Sequence, residues 1–485
     1  MAFDIANWDG VAPVETYNLI ADTDSYKLGH WVLYRDGCTT VYSYIESRGG
    51  RYPKVMLAAF QRLLFQKLCK PITRADIEEM AAFVPAHGLP FNRDGWEIIL
   101  NEYGGYLPLR IKAVPEGMMI PVKNALISVE NLDPRLPWLT SYFETMILRD
   151  VWTASTIAAR VNKIAQSIKI FWELTSDTPM SPFAFLDFSS RGTMGYDHSV
   201  LAGIAHLFHF QGSDNVPGVR AANINYFSEM SAYSVLATEH SISCSFGRDN
   251  DDEYILHCLT RAPVGSIVSL VGDTWNIFEF AKKLVKYKDL IANKNLTIVC
   301  RPDSGRLGEV IPPVLKTLAD GFGTQRNSKG LDVINMNVKV LQGDGMNEHT
   351  HMDPFYLGRD LGIAPDSIMT AAGGGLATGD LDRDTNKWAM KSSAQEINGE
   401  WVDIFKDPIT DPGKVSKKGK LALVTNEHGG FETITVHEGD VVEHDLLDEV
   451  FNTGKVLEPT TLDQVRERVA AGYDTGDYAF VDEPA

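Results

Sequence analysis

Cysteine is scarce. The chain of 485 residues has five (Cys38, Cys69, Cys244, Cys258, Cys300), without a CxxC pair and too scattered for a disulfide framework. That excludes a disulfide-stapled secreted scaffold and fits a reducing compartment, so the expected location is the cytoplasm. Long apolar runs are missing too: none reaches the about 18 residues of a membrane span. The opening MAFDIANWDGVAPVETYN has acidic residues and no basic-then-apolar signal layout. The protein is expected to be neither secreted nor membrane-spanning. Runs of positive charge are also absent. With 45 Lys and Arg against 64 Asp and Glu, the net charge of −19 disfavours a polyanion, so nucleic acid is excluded as the expected partner. A small anionic substrate would need a local concentration of cations, and Lys414, Lys417, Lys418 and Lys420 form the one clear cluster. By composition alone that cluster reads equally as a solvated loop. No Walker or dinucleotide glycine fingerprint is present.

What is there is an ordinary globular composition, 44% hydrophobic and 22% charged. The length exceeds the roughly 250–300 residues at which one core stops growing, so cooperating domains are expected. Three are read: an N-terminal α+β domain with bridging helices over 1–180, a β/α barrel over 181–400, and a C-terminal segment over 401–485 that packs back on the first and supplies a basic loop. In the first, LPLRIKAVPEGMMIPVKNALISVE reads as short strands broken by Pro and Gly. The long amphipathic stretch from Ser141 to Leu174 reads as one or two packed helices bridging the domains. From about Pro182 six apolar runs follow, each ending in polar or glycine residues: FAFLDFSSRG, YSVLATEHS, SIVSLVGDTW, LTIVCRPDSG, VKVLQGDGM and SIMTAAGGG. Alternation of such runs with helical segments predicts an α/β fold with a parallel sheet buried on both faces. Six or more units point to an atypical TIM-like barrel, with an open doubly wound sheet as the alternative.

In a parallel barrel the active site lies at the carboxyl ends of the strands. The residues there are Asp187, Phe188 and Arg191; Glu239 and His240; Ser269 and Asp273; Arg301, Asp303 and Ser304; Gly343, Asp344 and Gly345; and Gly373, Gly374 and Gly375. Glycine turns let backbone N–H groups approach phosphate oxygens, and arginines can fork two donors onto a phosphate. The set resembles a pocket for a phosphorylated substrate. Asp273 and Asp303 are candidate Mg²⁺ contacts through water, since Mg²⁺ uses few carboxylates; each could instead be a helix N-cap. His240, taken alone, could equally be a structural histidine.

These residues, with DTDSYKLGH, VYSYIESRG, QGSDNVPG and FKDPITDPGKVSKKGK, resemble the nicotinamide phosphoribosyltransferase family from about Tyr17 to Val469. The resemblance implies a type II phosphoribosyltransferase that joins nicotinamide to phosphoribosyl pyrophosphate. Mg²⁺ is the implied cofactor, ATP a co-substrate, and a homodimer with a shared active site the working unit. It places Phe188 against one face of the pyridine ring, Tyr26 of a second subunit against the other, and Asp214 on the carboxamide N–H₂. Arg191 and Arg301 match diphosphate-binding arginines, Asp303 a ribose contact, and Gly343, Asp344 and Gly374 the ribose and phosphate turns. Ser269 lies among the substrate-binding positions. Arg48, Arg383, Lys391, Lys406 and Lys414 match groups that reach the 5′-phosphate and nearby anions, partly from the other subunit. His240 matches the histidine phosphorylated by ATP. Ala371 and Ala372 stand where the family pattern has a Gly-Ser pair, which removes a hydroxyl contact. A nicotinate phosphoribosyltransferase on the same fold and a silent nucleotide-binding regulatory protein are the competing readings.

Overall fold

Each of the six apolar runs forms a strand, and together they make one parallel sheet in the order Phe185–Asp187, Ile368–Ala372, Lys339–Gln342, Thr297–Arg301, Ile267–Val271, Leu236–Ala237. The computed structural model describes residues 15–410, 415–437 and 440–474. The expected closed barrel needs a correction: the sheet is a curled half-barrel of six strands, not a full eight-stranded barrel. Between its edges, among the described residues, only single bridges occur, Asp187 to Ser213 and Gly212 to Tyr233. The connecting sequence QGSDN has no apolar run to sustain a ladder. It passes close to the first strand because Gly212 has no side chain; a Cβ there would lie 2.1 Å from Leu186 Cδ2.

Helices cover the outer face. Ile277–Lys286 illustrates why: Asn276 caps it by accepting from the N–H groups of Phe278 and Glu279, and Ile277, Phe280, Ala281 and Leu284 recur on its buried face. Lys283 and Lys286 occupy its last turn, where cations suit the helix dipole. Gly272, just after the 267–271 strand, lets Phe280 come so near that a Cβ would meet the ring at 2.4 Å.

The β-rich region is a seven-stranded antiparallel sheet, ordered Glu400–Asp403, Trp388–Ile397, Cys38–Ser47, Ala125–Asn131, Leu109–Ala113, Asp448–Asn452, Lys455–Val456. Its central pairing sets Tyr44 opposite Lys391. The predicted bridge is one 32-residue helix, Glu144–Thr175. Its first turns, with Met146, Ile147 and Val151, enter the core of the antiparallel sheet, and Ile157, Val161, Ile164 and Ile168 enter the core of the parallel one. The five cysteines are free. Among the described residues no helix is long and apolar enough to cross a membrane.

Behind the parallel sheet lie buried histidines. Burial pushes the His209 imidazole down to about 3 and that of His351 down to about 4. Both are neutral when folded and gain a proton on unfolding below the ordinary imidazole value of about 6.5. A depressed base destabilises the fold as pH drops from about 6.5 towards about 4, because the unfolded state binds more protons. Urea midpoints measured between pH 7 and 4.5 should therefore fall with pH, and replacing His351 with Gln should flatten that fall.

Candidate active site

The parallel strands line two adjoining cavities, the outer at their carboxyl tips and the inner reaching back to the strand starts at Ile267, Thr297, Lys339 and Ile368. The inner one, about 170 Å³, is mostly apolar, with Phe188, Tyr233, Val299 and Leu341 among its walls and Asp214, Ser234, Ser269, Arg301 and Lys339 among its polar groups. The outer cleft, about 480 Å³, is lined by Arg191, Gly192, Arg301, Asp303, the 343–347 turn and the 373–375 turn. Phe188 and Arg301 belong to both and stand at the junction.

Within the inner cavity Asp214 Oδ1 accepts a hydrogen bond from Ser234 Oγ at 2.6 Å. An ionised carboxylate has acceptor capacity left after one such bond. Ser269 is buried and its Oγ has no protein partner. The slot thus pairs apolar walls with one carboxylate and one unused hydroxyl, suited to a flat ring carrying an N–H₂ donor. Ser234 and Tyr233 went unnoticed in the sequence, since nothing marks a serine twenty residues away as the partner of Asp214.

The outer cleft owes its shape to three closely pressed turns. A Cβ on Gly192 would lie 2.8 Å from Gly374 Cα, and one on Gly375 would lie 2.4 Å from the Met346 carbonyl oxygen. Gly345 has φ of 73°, the left-handed region that favours glycine. Gly343 sits with its α-carbon facing the Phe188 ring, where a Cβ would be 3.8 Å away. Gly192→Ala should therefore force the turns apart and cost about 1–3 kcal/mol by overpacking, measurable by denaturant unfolding. Arg301, at the end of its strand, has a buried Nε without a hydrogen-bond partner, 3.8 Å from Asp303 Oδ1. The Arg191 side chain, on the short helix Ser190–Gly192, is exposed to the cleft.

His240 begins the helix His240–Ser245 directly after the 236–237 strand. Its Nε2 is 2.9 Å from Asp273 Oδ1, and Ser304 Oγ donates to Asp273 Oδ2 at 2.5 Å. An ionised aspartate only accepts, so Nε2 donates the proton of this bond, and the tautomer that does so has its lone pair on Nδ1. Asp273 is thus engaged at both oxygens by His240 and Ser304, whereas Asp303 is partly exposed beside the cleft. Among the described residues no cluster of three or more His, Cys, Asp or Glu is poised around a metal.

The remaining predicted residues lie elsewhere. Tyr26, on the helix Ser25–Leu28, is 59% exposed, and neither it nor Arg48, Arg383, Lys391 or Lys406 lines either cavity. Arg48, Lys406 and the helix residue Lys27 lie near Lys391 of the strand 388–397. Burial pulls the Lys391 ammonium below its usual value, Glu144 opposes this, and Arg48, Lys406 and Lys27 reinforce it. Arg48 Nε donates to Glu46 at 3.1 Å, and Lys417 pairs with the same carboxylate. Arg383 is exposed and bonds Asp384 at 3.0 Å. Lys414 lies outside the described residues.

The nicotinate phosphoribosyltransferase (NAPRTase) family model matches residues 183–455, and the model of the nicotinamide phosphoribosyltransferase N-terminal domain matches residues 18–111. A protein of Xanthomonas campestris pv. campestris named nicotinamide phosphoribosyltransferase is 37% identical over 465 residues, covering 94% of this chain and 98% of that one. One of the same name from Acinetobacter baylyi is 29% identical, covering 76% and 77%. Among solved structures, a Pyrococcus furiosus nicotinate-nucleotide pyrophosphorylase superposes with TM-score 0.61 at 15% identity, covering 98% of this chain and all of that one. Human nicotinic acid phosphoribosyltransferase does so with TM-score 0.54 at 14% identity, covering 93% of each chain. At those identities the structural matches establish the fold alone.

Proposed function

The chain belongs to the nicotinamide phosphoribosyltransferase family, and from that premise we propose how its two cavities divide the work of a pentosyltransferase acting in NAD biosynthesis by salvage. Nicotinamide and phosphoribosyl pyrophosphate become nicotinamide mononucleotide and pyrophosphate. The observation that carries this reading is the junction at Phe188 and Arg301 between an apolar slot ending in Asp214 and a cleft walled by Arg191 and two glycine turns.

The pyridine ring lies against Phe188 with its carboxamide N–H₂ donating to Asp214. Phosphoribosyl pyrophosphate fills the outer cleft, its phosphates against the 343–345 and 373–375 turns and its ribose hydroxyls near Asp303 and Asp344. The anomeric carbon–oxygen bond breaks as pyrophosphate leaves. The ring nitrogen donates its electron pair to the oxocarbenium-like carbon from the opposite face. Little covalent work falls to the protein: it positions the ring and stabilises the departing charge with Arg191 and Arg301. Mg²⁺ bound to the diphosphate would neutralise part of that charge, with Asp303 rather than the doubly engaged Asp273 free to reach it.

ATP enters at His240. Nδ1, held outward by the Nε2–Asp273 bond, attacks the γ-phosphorus, ADP leaves, and hydrolysis of the phosphohistidine is coupled to synthesis. The closed site needs a second copy of the chain. Tyr26, Arg48, Lys391 and Lys406 form a group apart from the cleft of their own subunit, which supports their delivery to a partner's cleft in a homodimer. Phe227, Met230, Tyr233 and Leu236, each at least 50% exposed on the way into the edge strand, support burial against such a partner. Five free cysteines fit the cytoplasm.

The test is formation of mononucleotide and pyrophosphate by the purified protein from phosphoribosyl pyrophosphate, Mg²⁺ and either nicotinamide or nicotinate, with and without ATP. Turnover with nicotinamide that ATP enhances, with the enhancement lost in His240→Ala, is the expected result. Preference for nicotinate would remove the role given to Asp214. Absence of turnover with both would favour a silent nucleotide-binding protein.

A further inference from the structure

The long helix Glu144–Thr175 carries one arginine whose surroundings differ from those of its other charged residues. Arg160 is 2% exposed and lies behind the outer cleft, on the side of the 373–375 turn away from the cavity. Its Nη1 donates to the carbonyl oxygens of Gly375 at 3.0 Å, Leu376 at 3.2 Å and Thr378 at 3.3 Å. Its Nη2 donates to Asp380 Oδ1 at 2.9 Å and lies 3.5 Å from Glu348 Oε1. Its Nε reaches the Tyr52 hydroxyl at 3.4 Å. Glu348, equally buried, follows the other glycine turn, and it accepts from Arg51 Nη1 and from the Tyr52 hydroxyl, both at 2.8 Å. Arg51 also pairs with Asp380. One guanidinium therefore grips the carbonyl side of the 373–378 turn and, through Glu348, the segment leaving the 343–345 turn.

Burying a guanidinium costs several kcal/mol in desolvation, and apolar replacements of buried ion pairs are often neutral or stabilising. Stability alone gives little reason for this arrangement. Geometry does: carbonyls at the end of a helical turn lack intrahelical partners, and the N–H groups at its start point the opposite way. Holding three carbonyls from behind fixes the position of the turn whose Gly373, Gly374 and Gly375 line the cleft. The guanidinium holds the turn through Nη1 while Nη2 and Nε hold Asp380 and Tyr52, a spread that an ammonium, presenting its three donors from one point, does not reproduce.

We infer that Arg160 is a positioning residue for phosphoribosyl pyrophosphate, locking the two glycine turns in the register that receives its phosphates. Arg160 touches no substrate and acts only through those turns. The inference rests on the assignment of the outer cleft to the phosphorylated substrate, so the experiment separates the two. Arg160→Lys, Glu348→Gln and Asp380→Asn are compared with the native protein by steady-state kinetics with each substrate varied, by binding of inorganic pyrophosphate with Mg²⁺, and by thermal unfolding. The expected result is a rise in KM for phosphoribosyl pyrophosphate of at least tenfold in Arg160→Lys and at least threefold in Asp380→Asn. KM for nicotinamide should stay within twofold, and pyrophosphate binding should weaken in parallel. A common rise in both KM values, a fall in kcat alone, or unchanged kinetics would overturn the inference. If Arg160→Lys does not fold, Asp380→Asn decides, since that carboxylate is largely exposed and its loss loosens Arg160 while Glu348 stays 3.5 Å from the guanidinium. If the native protein binds pyrophosphate but turns nothing over, the reaction assignment fails, and the pyrophosphate affinities of the variants still decide the role of Arg160.

Discussion

Arg301→Ala should lower kcat/KM by about 100- to 1000-fold, the usual scale for deleting one preorganised donor at a site of developing charge. Two arginines face the cleft, but they are not equivalent. Arg191 is exposed on its short helix, where water competes for its donors and screens its charge. Arg301 ends a sheet strand, its side chain is 14% exposed, and its buried Nε has no hydrogen-bond partner. A donor desolvated in advance pays no reorganisation when the leaving diphosphate gains charge, and the lower local dielectric strengthens the interaction. Arg301→Lys keeps the charge but not the bidentate fork, so it should recover only part of the loss. Steady-state kinetics in phosphoribosyl pyrophosphate, with thermal unfolding as the control for folding, is the measurement. A loss under fivefold in Arg301→Ala would move the leaving-group role to Arg191.

Asp214→Asn should alter choice of substrate more than fold. The carboxylate is the one acidic group in a mostly apolar slot and has one hydrogen bond, from Ser234. A charge-assisted hydrogen bond contributes roughly 1.5–3 kcal/mol, so its loss should reduce kcat/KM for nicotinamide by about 10- to 150-fold. The same carboxylate repels nicotinate, whereas an amide can donate to it. The variant should therefore gain activity with nicotinate while losing it with nicotinamide. Competition between the two substrates in one reaction reads the ratio directly. An unchanged ratio would mean that the ring is oriented by another group, for which the unpartnered Ser269 hydroxyl is the alternative within the cavity.

All six apolar runs became strands of one sheet; of the residues after them, Phe188, Arg191, Ser269, Arg301, Asp303, Asp344 and the glycine turns line two adjoining cavities, while His240, Asp273 and Ser304 form a separate cluster outside both linings. Such positions are legible because strand burial writes itself into a local run of apolar residues and because parallel order forces every such tip to one end. The closed barrel was an overreading. Periodicity locates strands without saying how many complete the circle, and QGSDN supplies bridges where a ladder was needed. Residue types also leave long-range partners open. Nothing local links Arg160 to a turn more than two hundred residues later, Ser304 to Asp273, or the strand 388–397 to the strand 38–47.

The separation of Tyr26, Arg48, Lys391 and Lys406 from the cleft belongs to the same category. Chemistry marked them as anion- or ring-binding groups, but only folding showed that Arg48 and Lys406 lie near Lys391 of the strand 388–397 and that all four stand outside the cavities of Phe188 and Arg191. The sequence by itself determined the class of fold, the strand tips and the residue types offered to substrate, because these depend on local burial patterns and side-chain chemistry. Tertiary structure alone decided which tips share a cavity, which carboxylates are already engaged and which cation braces the glycine turns. Those depend on distances between segments remote in the chain, which no local pattern encodes.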